Sequence, residues 1–157
     1  MRVVFGADHA GFPLKQALIQ ALTAQNVAVQ DMGCYDAAPV DYPPVAARVA
    51  QAVLQAGADE TVMGVLCCGS GVGMGIAANR FDGVRAVVAH DVTTARLSRQ
   101  HNDANVLCLG ARFLAAPLAQ EILDVFLATD FDGARHADRV AQLDCLIRPQ
   151  GDALSPC

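Results

Sequence analysis

Leu66-Cys67-Cys68-Gly69-Ser70-Gly71-Val72-Gly73-Met74-Gly75 decides the reading of this chain. An apolar strand runs into a thiol, a hydroxyl and four alternating glycines. Glycine has no Cβ, so it takes positive φ at little cost and lets a ligand come close to backbone amides. Ile76-Ala77-Ala78-Asn79-Arg80 supplies the helix expected next. The unpaired first amides of such a helix, with the positive end of its dipole, favour a phosphate, carboxylate or enolate oxygen. Cys68 falls at the strand's carboxyl end beside that potential, a setting that raises the thiolate fraction of a cysteine. Cys67 should face the opposite side of the strand and reads as packing.

Working outward, short β-branched or apolar runs at 2–6, 27–31, 61–67, 84–89 and 105–109 read as strands, each bounded by Gly, Asp or Asn. Helical patterns lie between them. One starts at Pro13 and one runs from Pro43 to Ala56, a third follows the glycine loop, and others run from about Thr93 to His101 and from about Pro117 to Leu127. A last helix is expected from Asp138 to Leu146. The alternation predicts an α/β chain: a three-layer Rossmann-like fold with a five-stranded parallel sheet, right-handed crossovers and an extra C-terminal helix. Residues 1–147 read as one domain and 148–157 as a loose tail. Ligands in such folds bind at the carboxyl ends of strands, near a switch in strand order. That rule gathers Asp8-His9, Cys68 to Gly73, His90-Asp91 and Arg112; His101-Asn102 ends a helix, and its side of the sheet stays open.

Composition narrows the function. With a net charge of −5 and a single lysine, Lys15, the surface has no basic field to collect nucleic acid. Hydrophobic residues make up 54% of the chain, yet no apolar run has the length of a spanning helix. The amino terminus, Met1-Arg2-Val3-Val4-Phe5-Gly6, reads as a strand and not as a signal peptide, which points to the cytoplasm. Six cysteines without C-x-x-C or zinc-type spacing read as reduced thiols.

Rival motifs fail on spacing. Strict G-x-G-x-x-G is broken by Met74 or Ile76, and the relaxed frame from Gly73 would place its turn glycines inside the helix. No glycine is followed by lysine, so a Walker loop is excluded. Locally, Asp8 can serve as a turn residue, His101-Asn102 as a helix end, His90 as a rim residue, and His136 as part of an exposed basic turn. Arg135 and Arg139, four apart, share a face of a helix and suit a phosphate. A thiol, a hydroxyl, an oxyanion-type loop, a histidine and surplus arginines together describe proton transfer at carbon on a phosphorylated substrate.

Several stretches carry a family resemblance: Gly6-Ala7-Asp8-His9-Ala10-Gly11-Phe12, Asp41-Tyr42-Pro43, Cys68 to Met74, Ala77-Ala78-Asn79-Arg80, Ser98 to Asn105 and Gly133-Ala134-Arg135-His136. They resemble, in the same order, the ribose-5-phosphate isomerase type B family, which also takes in galactose-6-phosphate and allose-6-phosphate isomerases. The resemblance implies a cofactor-free, metal-independent aldose–ketose isomerase acting through a cis-enediolate in a site shared by a homodimer or tetramer. By that resemblance Cys68 is the carbon base, Ser70 relays a proton between oxygens, and His101 is the ring-opening acid. Asp8, His9, the loop Gly69-Ser70-Gly71-Val72-Gly73, Asn102, Arg112, Arg135 and Arg139 then hold substrate. A subgroup of the family uses a glutamate base where this chain has Met74, so the resemblance is to the cysteine subgroup. Ribose 5-phosphate is the expected substrate, a six-carbon aldose phosphate the alternative, and a non-catalytic sugar-phosphate sensor the more distant one.

Overall fold

A computed structural model describes residues 1–57 and 59–146. Five parallel strands, β1 (Arg2–Ala7), β2 (Ala28–Asp31), β3 (Val62–Cys68), β4 (Ala86–Val88) and β5 (Val106–Gly110), form one sheet in the order β2-β1-β3-β5-β4. The order reverses between β1 and β3, where Phe5 pairs with Val65 and Ala7 with Cys67. That is the switch point at which a parallel sheet opens a crevice.

The helices are α1 (Phe12–Ala24), α2 (Tyr42–Leu54), α3 (Val72–Ala78), α4 (Val92–Asn102), α5 (Ala116–Ala128) and α6 (Arg135–Cys145). Leu14, Leu18 and Leu22 of α1 and Ile122, Leu123 and Phe126 of α5 cover one face of the sheet, where Cys67 also lies. Val45, Val49 and Val53 of α2 and Met74 and Ala78 of α3 cover the other, where Cys68 lies. The alternation expected for the adjacent thiols therefore holds. The extra C-terminal helix is α6.

The structure corrects some boundaries. Helix α3 does not wait for Ile76 but starts at Val72, because Gly71 at φ +80° turns the strand directly into it. It stops before Asn79, whose side chain donates to the Ala86 carbonyl and accepts from the Ala86 amide, tying the helix end to β4. Helix α6 starts at Arg135, so Arg135 and Arg139 lie one turn apart on it. The tail from Arg148 to Cys157 lies outside the described residues. Cys34, Cys67, Cys68 and Cys108 are free buried thiols, and burial pushes Cys67 and Cys108 up in pKa. Cys145 departs from the expectation of reduced thiols and is disulfide-bonded; no spacing rule in the sequence signals it. Among the described residues no helix is long and apolar enough to cross a membrane.

Lys15 is fully buried. Its ammonium donates to both carboxylate oxygens of Asp31 (2.6 and 2.7 Å) and to the Cys34 carbonyl (2.5 Å), with the rings of Phe12 and Tyr35 within 5.6 Å. A charge removed from water is tolerated only with such partners. Lys15→Met is expected to cost about 3 kcal/mol in urea unfolding by stranding Asp31, whereas Lys15→Met with Asp31→Leu should recover most of that loss.

Candidate active site

The carboxyl edge of the sheet assembles the thiol group of residues. Asp8 follows β1, its amide donates to the Cys67 carbonyl (3.2 Å), and its carboxylate accepts the Gly11 amide (2.9 Å). This is a turn and not the helix cap, which is Gly11 itself. His9 is exposed, and its Nδ1 accepts the Val40 amide at 3.4 Å.

Cys68, 5% exposed, ends β3 with its Sγ accepting the Gly71 amide at 3.0 Å. An amide donor aimed at the sulfur offsets part of its desolvation. Ser70 Oγ accepts the Val72 amide (3.3 Å), leaving the hydroxyl proton to donate elsewhere. The amides of Gly71 and Val72 thus point at Cys68 Sγ and Ser70 Oγ, the two reactive groups of the loop. The Arg112 amide donates to the Gly69 carbonyl (3.0 Å), and its exposed guanidinium lies so close that a Cβ on Gly69 would sit 3.1 Å from Cζ. Tyr42 covers Gly73 in the same way, its Cζ 2.9 Å from where a Cβ would be. Met74 is wholly buried and offers no proton acceptor. His90, exposed and edge-on to Phe113, is a rim residue as expected.

The other expected residues stand at the opposite edge. Helix α4 runs antiparallel to the strands, and its 11 residues carry the chain back about 16 Å, so His101 and Asn102 emerge beside the start of β5. There His101 stacks on His136 with ring centroids 4.3 Å apart and planes 4° from parallel. Arg135 Nε donates to His136 Nε2 (3.4 Å), and the Asp132 amide donates to the Gln100 carbonyl (3.0 Å). Cys68, Ser70, Asp8, His9 and Arg112 therefore meet at one end of the sheet. His101, Asn102, Arg135 and Arg139 belong to the other end, and one chain does not join the two sets.

His136 is not the exposed basic turn expected from its neighbours but is buried at 8%. The signal available in the sequence was its spacing to Val140, four residues on, since these two are the buried residues of α6. His101, Asp132 and His136 present ligand atoms within 4.8 Å of one another. The lone pairs of parallel rings lie in parallel planes and do not converge on one ion, and Arg135 and Arg139 make the spot positive. The donor set suits an anion better than a metal cation.

Burial first, and then the charges of His101, Arg135 and Arg139, hold the His136 pKa below the usual histidine value, while Asp132 raises it. In an NMR titration His136 should therefore titrate below about 6.5, Asp132→Asn should lower it further, and His101→Asn should raise it. Because the folded state resists protonation here, the stability contributed by neutral His136 is complete above about pH 6.5 and is lost as pH falls below it.

Residues 3–143 match the Ribose/Galactose Isomerase family. The chain is 43% identical to ribose-5-phosphate isomerase B of Escherichia coli (strain K12), over 92% of this chain and 95% of that protein. The solved structure of the Clostridium thermocellum ribose-5-phosphate isomerase B superposes with a TM-score of 0.87 at 40% identity, covering 92% of this chain and 95% of that one. The Mycoplasma genitalium ribose-5-phosphate isomerase B, solved with bound ribulose-5-phosphate, superposes with a TM-score of 0.85 at 38% identity, covering 91% of this chain and 93% of that one. With the sheet order, the thiol at the switch point and these likenesses in agreement, the chain belongs to the ribose/galactose isomerase family.

Proposed function

We propose that this chain interconverts ribose 5-phosphate and ribulose 5-phosphate in the cytoplasm, as a single domain over residues 1–147, in a site shared between two copies. The observation that carries the chemistry is the buried Cys68 thiol with Ser70 and Arg112 around it at the switch point. The furanose must open first. His101 protonates the ring oxygen as the C1–O4 bond breaks, and the C1 hydroxyl gives its proton to water to become the carbonyl.

The Cys68 thiolate then removes the proton from C2, and the electrons move into a cis-enediolate whose oxygen is held by amides of the Gly69 to Gly73 loop. Preorganised donors at such an oxygen are each worth a factor of about 10²–10³ in rate. Ser70 carries a proton from O2 to O1, and Cys68 returns the proton it holds to C1, so no atom is gained or lost. No step calls for a metal or cofactor. Asp8 and Asn102 bind sugar hydroxyls, while His9, Arg112, Arg135 and Arg139 hold substrate and its phosphate.

Geometry supports the sharing. Cys68 and His101 are at opposite ends of one sheet, and a site made from the carboxyl edge of one copy and the amino edge of another would hold both. A two-fold arrangement supplies both sites at once. The apolar side chains of Val72, Ile76 and Phe113, 48%, 56% and 65% exposed, flank the carboxyl edge and give a second copy a surface to cover.

In a coupled assay on ribose 5-phosphate, Cys68→Ala should lower kcat about a thousandfold. Near-normal turnover would remove Cys68 as the base. Arg139→Ala should chiefly raise KM, because phosphate binding is common to ground and transition states. A chelator should leave the rate unchanged, and faster turnover on allose 6-phosphate or galactose 6-phosphate would move the substrate to six carbons.

Mixing inactive Cys68→Ala and His101→Asn chains under subunit exchange should restore about one quarter of wild-type activity, since half the dimers are mixed and each has one intact site. No recovery, with exchange verified by mass, would confine each site to one chain.

A further inference from the structure

His101 stands on the last turn of a helix, an end that frays unless its carbonyls are held. Asp103 closes α4 in the left-handed conformation (φ 46°, ψ 45°), and this lets the amides of Asp103 and Ala104 close on the carbonyls of Arg99 and Ser98. Glycine or asparagine is the usual residue for such a position, and an aspartate there needs a reason. The reason is on both sides of it. Arg85 Nη2 donates to Asp103 Oδ2 (2.7 Å) and its Nε to the Asp103 carbonyl (2.9 Å), while Arg99 Nη1 donates to Asp103 Oδ1 (2.8 Å).

The two guanidiniums reach further. Arg99, only 7% exposed, also donates to the Ala104 carbonyl (2.6 Å) and through Nε to the Thr129 carbonyl (3.2 Å), with the Phe126 ring 5.8 Å away. Arg85 reaches Asp144 of α6 at 3.7 Å. One carboxylate thus connects the start of β4, the end of α4, the segment leaving α5 and the face of α6. Those last three are the segments that must converge for His101 to lie on His136. The Asp132 amide on the Gln100 carbonyl adds a backbone tie in the same place.

We propose that Asp103, gripped by Arg85 and Arg99, is a positioning residue that sets His101 on His136 and so prepares the ring-opening half of the shared site. The proposal rests on the function given above. Asp103 acts through His101, and no substrate contact is assigned to it: both of its carboxylate oxygens are taken by arginines. Arg99 is spent in the same way, its donors turned inward to Asp103, Ala104 and Thr129.

The test uses two reactions that divide the site. Ribose 5-phosphate has a furanose ring to open. Ribulose 5-phosphate has its O5 esterified and cannot close one, so exchange of its C1 hydrogen with D2O needs the Cys68 base but not the ring-opening acid. Asp103→Asn keeps a residue that tolerates the left-handed turn but removes the charge that holds both arginines. Turnover of ribose 5-phosphate by the full chain is expected to fall at least tenfold in kcat with KM within about twofold. C1 exchange of ribulose 5-phosphate should stay within twofold, and the NMR ring-current displacement of the His101 and His136 ring protons should be lost.

Asp103→Gly, which removes the carboxylate and relaxes the turn, should do the same, so a folding defect in one variant leaves the other to decide. An equal fall in turnover and exchange would mark a general structural role and overturn the proposal, as would unchanged turnover or unchanged ring shifts. A wild-type chain that catalyses neither reaction would overturn the functional reading instead, and the histidine ring shifts of the variants would then decide alone whether Asp103 sets the stack.

Discussion

Every residue of β3 is buried, with β1 and β5 hydrogen-bonded to its two sides and helices over both faces. A strand in that position satisfies all its polar groups internally and leaves no side chain for chemistry until the ladder stops. It stops at Cys68, where the Ala111 amide takes the Cys68 carbonyl and Gly71 turns the chain through positive φ. The sulfur therefore sits at the one point where a deeply packed strand opens toward a crevice. Rigid strand on one side and helix on the other hold it there, and such fixed placement is what the proposed role as a base at carbon requires.

The same parallel architecture separates the residues that the proposed chemistry brings together. Each helix returns the chain to the amino edge before the next strand begins, so a residue at a helix end and a residue at a strand end are about 20 Å apart across a seven-residue strand. His101 and Cys68 fall on the two sides of that distance. A parallel sheet cannot fold its own ends together, which is why the proposed site draws on a second copy. The arginines follow the same division, with Arg112 beside Gly69 and Arg135 beside His136.

Buried charge does structural work at both ends. Lys15 pins Asp31 and the Cys34 carbonyl, and so the turn that packs against Asp8, where the Cys34 amide donates to the Ala7 carbonyl at 2.8 Å. Arg99 pins Asp103 and the segment after α5. Each is a cation removed from water and given directional partners, an arrangement that adds little net stability but penalises any other packing of the same segments. Arg112, Arg135 and Arg139, by contrast, are exposed.

Much was legible in the order of residues. Alternating apolar runs and glycine or asparagine stops marked all five strands, and the run from Leu66 to Gly75 marked the crevice, because local propensity and turn chemistry act over a few residues. The sequence by itself determined the α/β class, the thiol at the strand end and the residue types suited to a sugar phosphate. The tertiary structure alone decided the strand order, the start of α3 at Val72, the burial of His136 on His101, and the clamp of Arg85 and Arg99 on Asp103. Those depend on contacts between segments far apart in the chain, and no local pattern encodes which side of a sheet a helix end will reach.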